Sequence, residues 1–225
     1  MRLFIIRHAE SLANVQGKMM SSADLPLTEK GIRQSEATRK YLEDNIAPYV
    51  FHKIYSSPLL RAKQTAEIIC RGHGDIKVSA ELREMDLGLL EGLSWNKRAT
   101  RYPHIDIDNN LSHVEFPCGE SFYDIQSRCN YFINSLELSS NYNVLIVSHG
   151  ITIRILVNCL LEKEDYCVNY INWTDNTAIT EINILTPYTR EIVHLGYREH
   201  LLKLGLGTTD YEKWGMFSLK DYNMI

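Results

Sequence analysis

Two short apolar runs, far apart in the chain, each stop at a histidine. Leu3-Phe4-Ile5-Ile6 runs into Arg7-His8, and Val144-Leu145-Ile146-Val147 runs into Ser148-His149-Gly150. Each run has the length and branching of a strand buried on both faces. Strands of that kind build parallel sheets, and in open α/β sheets ligands bind at the carboxyl edge. An isolated Arg-His pair reads simply as the polar start of a loop. A second strand ending the same way changes that reading, because both histidines come to one edge and the rest of the chain can build a pocket between them.

The intervening sequence alternates helices and strands. Thr28 is an N-cap for a helix that Ile32, Ala37, Tyr41 and Leu42 carry to about Asp44. Lys53 to Tyr55 reads as a strand. Pro58 then suits a first helical position, with the helix running to about Cys70 and Arg61 near its first turn, at the same edge as His8. Ile76 to Ser79 is a third strand, followed by the acidic stretch from Glu81 to Gly88. Glu120-Ser121 opens a helix with Phe122, Ile125, Cys129, Phe132, Ile133 and Leu136 in helical spacing, and Ile151 to Leu161 forms the helix behind His149. Ala178 to Leu185 and Glu191 to Leu195 alternate as two later strands. Strands separated by helices imply right-handed crossovers, hence an α/β fold: a three-layer α/β/α sandwich with a mainly parallel central sheet. The expected organisation is a single domain over residues 1–225. Its polar segment at about 93–117, with Trp95, Tyr102, His104, His113 and Phe116, reads as a lid or insertion. Its tail at about 197–225 carries Tyr211, Trp214, Phe217 and Tyr222, aromatic enough to pack on the body or on another subunit.

Net charge narrows the partners. At −4 over 225 residues, with no basic stripe, the chain lacks the footprint of a nucleic-acid binder, so any anion must be held by local cations. The five cysteines show no CxxC pair, which argues against a disulfide framework and a structural zinc site and makes a reducing cytoplasm the expected compartment. The chain starts directly with a strand, and no apolar run approaches the ~20 residues of a membrane span. The expected partners are a small phosphorylated metabolite and, at most, a second copy of the chain in a homodimer, with neither nucleic acid nor membrane.

On that sheet Arg7, His8, Arg61 and His149 converge. The helix after His149 points its N-terminus at them, where backbone N–H groups and the helix dipole favour an anion. Planar arginine forks suit the tetrahedral oxygens of a phosphoryl group. These residues imply a site for a phosphate monoester.

The same residues carry a resemblance. Arg7-His8-Ala9-Glu10-Ser11 with Asn14, Leu27-Thr28-Glu29-Lys30-Gly31, Ser56-Ser57-Pro58 with Arg61 and Gln64-Thr65-Ala66, Glu84 before Gly88 and Glu91-Gly92, Gly119-Glu120-Ser121, and Ser148-His149-Gly150 stand in the order of a known family. Together, over roughly Met1 to Leu195, the chain resembles the histidine phosphatase superfamily, also called phosphoglycerate-mutase-like. The resemblance implies that His8 attacks phosphorus to give a phosphohistidine, its second ring nitrogen held as a donor by a backbone carbonyl. It implies that Arg7, Arg61 and His149 bind the phosphoryl oxygens and stabilise the charge that moves in transfer, with Asn14 and Gly150 completing the phosphate site. Glu84 would protonate the leaving alkoxide and then activate water; a carboxyl group beside a phosphate dianion is biased toward its protonated form, which suits an acid. Neither cofactor nor metal is expected. Alanine at position 9 departs from the glycine common in the family.

Other readings share these residues. A phosphoglycerate-type mutase needs extra cations for a second phosphate group; Lys97, Arg98 and Arg101 are on offer, without the paired arginines and long insertion of the mutases. A metal hydrolase would use His8, His149 and Glu84 as ligands, against the repulsion of two arginines. A phosphate-binding module would need the arginines but neither nucleophile nor acid. Glu84 also sits near Glu81, Asp86 and Glu91, as in a merely solvated acidic loop.

Overall fold

Both apolar runs are strands, and they lie side by side. In the computed structural model, which describes residues 1–138, 141–186 and 188–207, they are β1 (Arg2–Arg7) and, later, β4. After β1 come the short helix α1 (Leu12–Val15), α2 (Glu29–Asn45), β2 (Lys53–Ser56), α3 (Leu60–Cys70) and β3 (Ile76–Val78). The chain continues through α4 (Trp95–Arg101) and α5 (Phe122–Asn134) into β4 (Asn143–Ser148) and α6 (Gly150–Leu160). It closes with β5 (Ile179–Thr186), β6 (Thr189–Tyr197) and α7 (Glu199–Leu202).

The strands form one six-stranded sheet in the order β3-β2-β4-β1-β5-β6. The first four run parallel, while β5 lies antiparallel to β1 and β6 antiparallel to β5. The fold is therefore the expected α/β sandwich on a mainly parallel sheet. Alternation along β1 splits the core: Leu3 and Ile5 pack with Ile125, Phe132, Ile151 and Ile155 of α5 and α6, while Phe4 and Ile6 pack with Leu42, Ala62, Ala66 and Ile69 of α2 and α3. A strand covered on both faces has to be apolar throughout, which is why Leu3 to Ile6 shows no polar alternation.

The register of β1 and β4 fixes the functional edge. Ile5 pairs with Ile146 and Arg7 with Ser148, and the His8 amide donates to the Ser148 carbonyl at 2.9 Å. Both strands thus end at the same level.

Two expectations need adjustment. Pro58 is not the first helical residue of α3, which begins at Leu60 after an N-cap at Leu59. Ser57 still pairs along the sheet through its amide to the Val147 carbonyl, so Pro58 belongs to the turn; the amides of Leu59 and Leu60 find acceptors in Ser57 Oγ and Asp24 Oδ1 instead. The segment at 93–117 is not a polar flap alone. It holds α4 and sends Ile105, Ile107, Leu111, Val114 and Phe116 into the core beside α5 and α6. Of the aromatic tail, Tyr197 lies in β6 against Tyr41, and Tyr211, Trp214, Phe217 and Tyr222 lie outside the described residues. Among the described residues, no helix is long and apolar enough to cross a membrane.

Candidate active site

Arg7, His8, Asn14, Arg61 and Glu84 line one pocket at the carboxyl edge of β1 and β4. His8 leaves β1 as the strand ends and is buried. Its Nδ1 lies 2.8 Å from the Ala9 carbonyl oxygen. A carbonyl only accepts, so Nδ1 carries the hydrogen and Nε2 of the neutral ring carries the free lone pair. Burial, then the charges of Arg61 and Arg7, hold the His8 pKa well below its ordinary value of 6.5, which keeps the ring neutral near pH 7. Ala9 fits this turn without strain: it is fully buried, its amide donates to Thr65 Oγ1 at 3.0 Å, and it is not among the residues with a left-handed backbone.

The arginines are held from behind. Arg7 Nη1 donates to the Thr174 carbonyl at 2.7 Å, while its buried Nε has no partner among the described residues. Arg61 Nη1 and Nη2 donate to the carbonyls of Ala23 and Ser21 at 2.7 and 3.0 Å. The loop that supplies those carbonyls is itself fixed by Glu91, whose carboxylate accepts from the amide and hydroxyl of Ser21 at 2.9 and 2.7 Å. Asn14 turns its amide oxygen toward the Ser11 amide at 2.9 Å, and a backbone N–H can only donate, so the NH₂ group is the end left for the pocket.

His149 and Gly150 stand beside this pocket rather than in its lining. His149 is fully buried with its ring centroid 5.1 Å from that of His8, and its Nε2 is hydrogen-bonded to Ser57 Oγ at 2.7 Å. Its Nδ1 is buried without a partner among the described residues. Burial, Arg61 and His8 push its pKa well below the ordinary value, so it too is neutral. Gly150 opens α6 where a side chain has no room: a Cβ there would lie 2.7 Å from the Trp173 ring and 3.7 Å from Arg7 Cζ.

Glu84 occupies the position that the sequence reserves for a bound anion. Its carboxylate accepts from the amides of Ile151 and Thr152 at 3.3 and 3.2 Å, while the Thr152 hydroxyl donates to the neighbouring Arg83 carbonyl at 2.6 Å. The first-turn amides of a helix have no partner within it, and Glu84 takes up two of them in α6. The expected helix-end contribution therefore positions a carboxylate at the pocket wall.

Several neighbours escape sequence reasoning. Ser57 holds His149, Thr174 orients Arg7, and Asn176 Nδ2 donates to the His8 carbonyl at 2.8 Å. Trp173, Lys18, Met19 and Met20 line the pocket as well, beside Trp95, which the sequence already offers as part of an apolar wall. The signal for 173–177 was its place before β5: because β5 runs antiparallel to β1, its start lies at β1's carboxyl end. Among the described residues, no three His, Cys, Asp or Glu side chains group as a metal-ligand set, so His8, His149 and Glu84 do not form one.

Comparison with known proteins places the chain in a family. A profile of the histidine phosphatase superfamily (branch 1) matches residues 3–196. A Cronobacter sakazakii protein named "Probable phosphoglycerate mutase GpmB" is 32% identical over 173 residues, 74% of this chain and 77% of the relative. The crystal structure of the alpha-ribazole phosphatase from Shigella flexneri superposes with a TM-score of 0.75 at 27% identity, covering 87% of this chain and 96% of that one. Bacillus stearothermophilus YhfR superposes with a TM-score of 0.77 at 29% identity, covering 89% and 98%. With a family match over most of its length and a fold shared with these structures, the chain belongs to the histidine phosphatase superfamily.

Proposed function

We propose that this protein is a phosphatase that hydrolyses phosphate monoesters through a phosphohistidine on His8. The observation that carries the reading is the committed tautomer of His8: Nδ1 is spent on the Ala9 carbonyl, leaving the Nε2 lone pair in a pocket lined by two arginines. Nε2 attacks phosphorus as the ester oxygen departs. Arg7 and Arg61, with the Asn14 amide, bind the phosphoryl oxygens; Arg7 Nε, which has no partner among the described residues, is a further donor, and so is His149 Nδ1 in the tautomer in which the Ser57 hydroxyl donates to Nε2. In phosphoryl transfer most of the catalysis is positioning and charge stabilisation, which fits a site whose cations are clamped by backbone carbonyls before any ester arrives. Glu84 protonates the leaving oxygen and then takes a proton from the water that attacks the phosphohistidine.

Hydrolysis rather than mutase chemistry is favoured by where the remaining cations lie. Lys97 and Arg101 line a separate surface depression, and Arg98 donates to the Ile105 carbonyl; none of them lines the His8 pocket. A second phosphate group would find Lys18 there and no further pair of cations. The homodimer and the small-metabolite substrate remain part of this proposal.

The test is to incubate purified protein with phosphate monoesters, and separately with 3-phosphoglycerate plus bisphosphoglycerate. Release of inorganic phosphate, with phosphoglycerate interconversion slow beside it, is expected. Rapid interconversion without released phosphate would establish the mutase instead.

A further inference from the structure

The rest of the pocket wall carries information about the alcohol. Beyond the phosphate-binding groups and Glu84, the pocket is lined by Ala13, Met19, Met20, Leu87, Trp95, Ile151 and Trp173, with Lys18 as the one further cation in the lining. An alcohol bearing several charges would find little here to neutralise it. An apolar one would be desolvated on most sides.

Trp173 is the best-anchored part of this wall. Its Nε1–H donates to Asp108 Oδ1 at 2.9 Å. Its ring lies over the Arg154 guanidinium, 5.2 Å from Cζ to the ring centroid, and its benzo edge lies against Gly150, where a Cβ would be 2.7 Å away. Gly150 and Arg154 are four apart on α6 and so share a face, along which the indole rests. Arg154 is buried and donates to the carbonyls of Ile171 and Ile107, both at 2.7 Å, tying the segment before Trp173 to the segment that carries Asp108. The next residue, Thr174, supplies the carbonyl that orients Arg7. The indole is thus fixed in the same frame as the phosphate-binding arginine, and it is half-buried, with surface left for the pocket. An aromatic surface held rigid in advance stacks flat groups at little entropic cost.

Resting on the phosphatase reading, we infer that Trp173 is the platform for the leaving group, and that the preferred substrates are phosphate monoesters of planar, apolar alcohols rather than of polyols or small polyanionic acids. Trp173 determines specificity by contact, and Arg154 and Asp108 are positioning residues behind it.

The test compares 2-naphthylmethyl phosphate with glycerol 3-phosphate. Both are esters of primary alcohols, so the intrinsic ease of cleavage is matched. Wild-type kcat/KM is expected to favour the naphthylmethyl ester by about tenfold or more, the scale of one aromatic stacking contact. Trp173→Leu should erase most of that ratio, and Trp173→Phe should keep most of it. If Trp173→Leu does not fold, inhibition of the wild type decides: naphthylmethylphosphonate should compete about tenfold more tightly than methylphosphonate. A wild-type ratio at or below one, equal inhibition by the two phosphonates, or an unchanged ratio in folded Trp173→Leu would overturn the platform and leave the phosphatase standing. Failure to release phosphate from either ester would overturn the phosphatase reading, and the platform with it.

Discussion

Glu84 holds its place through donors on two elements: its own neighbour's amide, Met85 N at 3.0 Å, and the first turn of α6. A carboxyl group fixed so firmly beside His8 and Arg61 can serve as acid only toward an oxygen delivered to it, so its effect should depend on the leaving group. For alkyl esters, whose alkoxide must be protonated to leave, Glu84→Gln is expected to lower kcat/KM by about 10²- to 10⁴-fold. For p-nitrophenyl phosphate, whose phenolate leaves without a proton, kcat/KM should fall only a few-fold, while kcat still drops because water must be activated in the second step. Equal losses in kcat/KM with both esters would make Glu84 a structural cap of α6. At this scale the sequence is informative where chemistry sits at an element's end. Arg7 and His8 close an apolar strand, Arg61 opens a helix, and the pocket holds all three. Ser57 and Trp173 are legible only once distant segments are placed, because what defines them is a partner 92 residues away in one case and 65 in the other.

At the level of elements, α2, β6 and α7 meet through rings. Tyr41 lies 5.0 Å from both Tyr197 and His200, and His200 Nε2 is hydrogen-bonded to Thr38 Oγ1 at 2.9 Å. Burial lowers the His200 pKa to about 4. Because the folded ring resists a proton that the unfolded chain accepts near ~6.5, its contribution is whole above that pH and is lost progressively as the pH falls from 6.5 toward 4. His8 and His149 are shifted in the same direction, so acid should weaken the fold from about pH 6.5 downward. His200→Phe keeps the ring stack but removes one titrating group. The urea midpoint of that variant should therefore fall less steeply between pH 6.5 and 4, by about one proton's worth of slope. Parallel declines in variant and wild type would show that His200 does not couple to folding. The interface was only partly legible: the later strands could be read from their alternation, but His200 comes to α2 on the four-residue helix α7, which is too short to leave a periodic signal.

Over the whole molecule, the sheet order explains why so much chemistry gathers at one edge. Placing β4 between β2 and β1 brings the ends of three parallel strands together, with Ser57, His8 and His149 following them directly. The class of fold was readable because buried strands and amphipathic helices alternate. The packing of residues 93–117 was not, because Ile105, Ile107, Val114 and Phe116 reach the core from irregular backbone, and Leu111 from a single 3₁₀ turn, with neither helical nor strand spacing. Everything proposed for the site depends on His8 being the nucleophile that displaces the ester oxygen from phosphorus. The most direct measurement mixes protein with p-nitrophenyl phosphate, quenches rapidly in alkali, and locates added phosphate by mass spectrometry in wild type and His8→Ala. One acid-labile phosphoryl group on His8, with continuing phosphate release in wild type and neither in His8→Ala, is the expected result. Turnover that persists in His8→Ala, or a phosphoryl group found on any other residue, would contradict it.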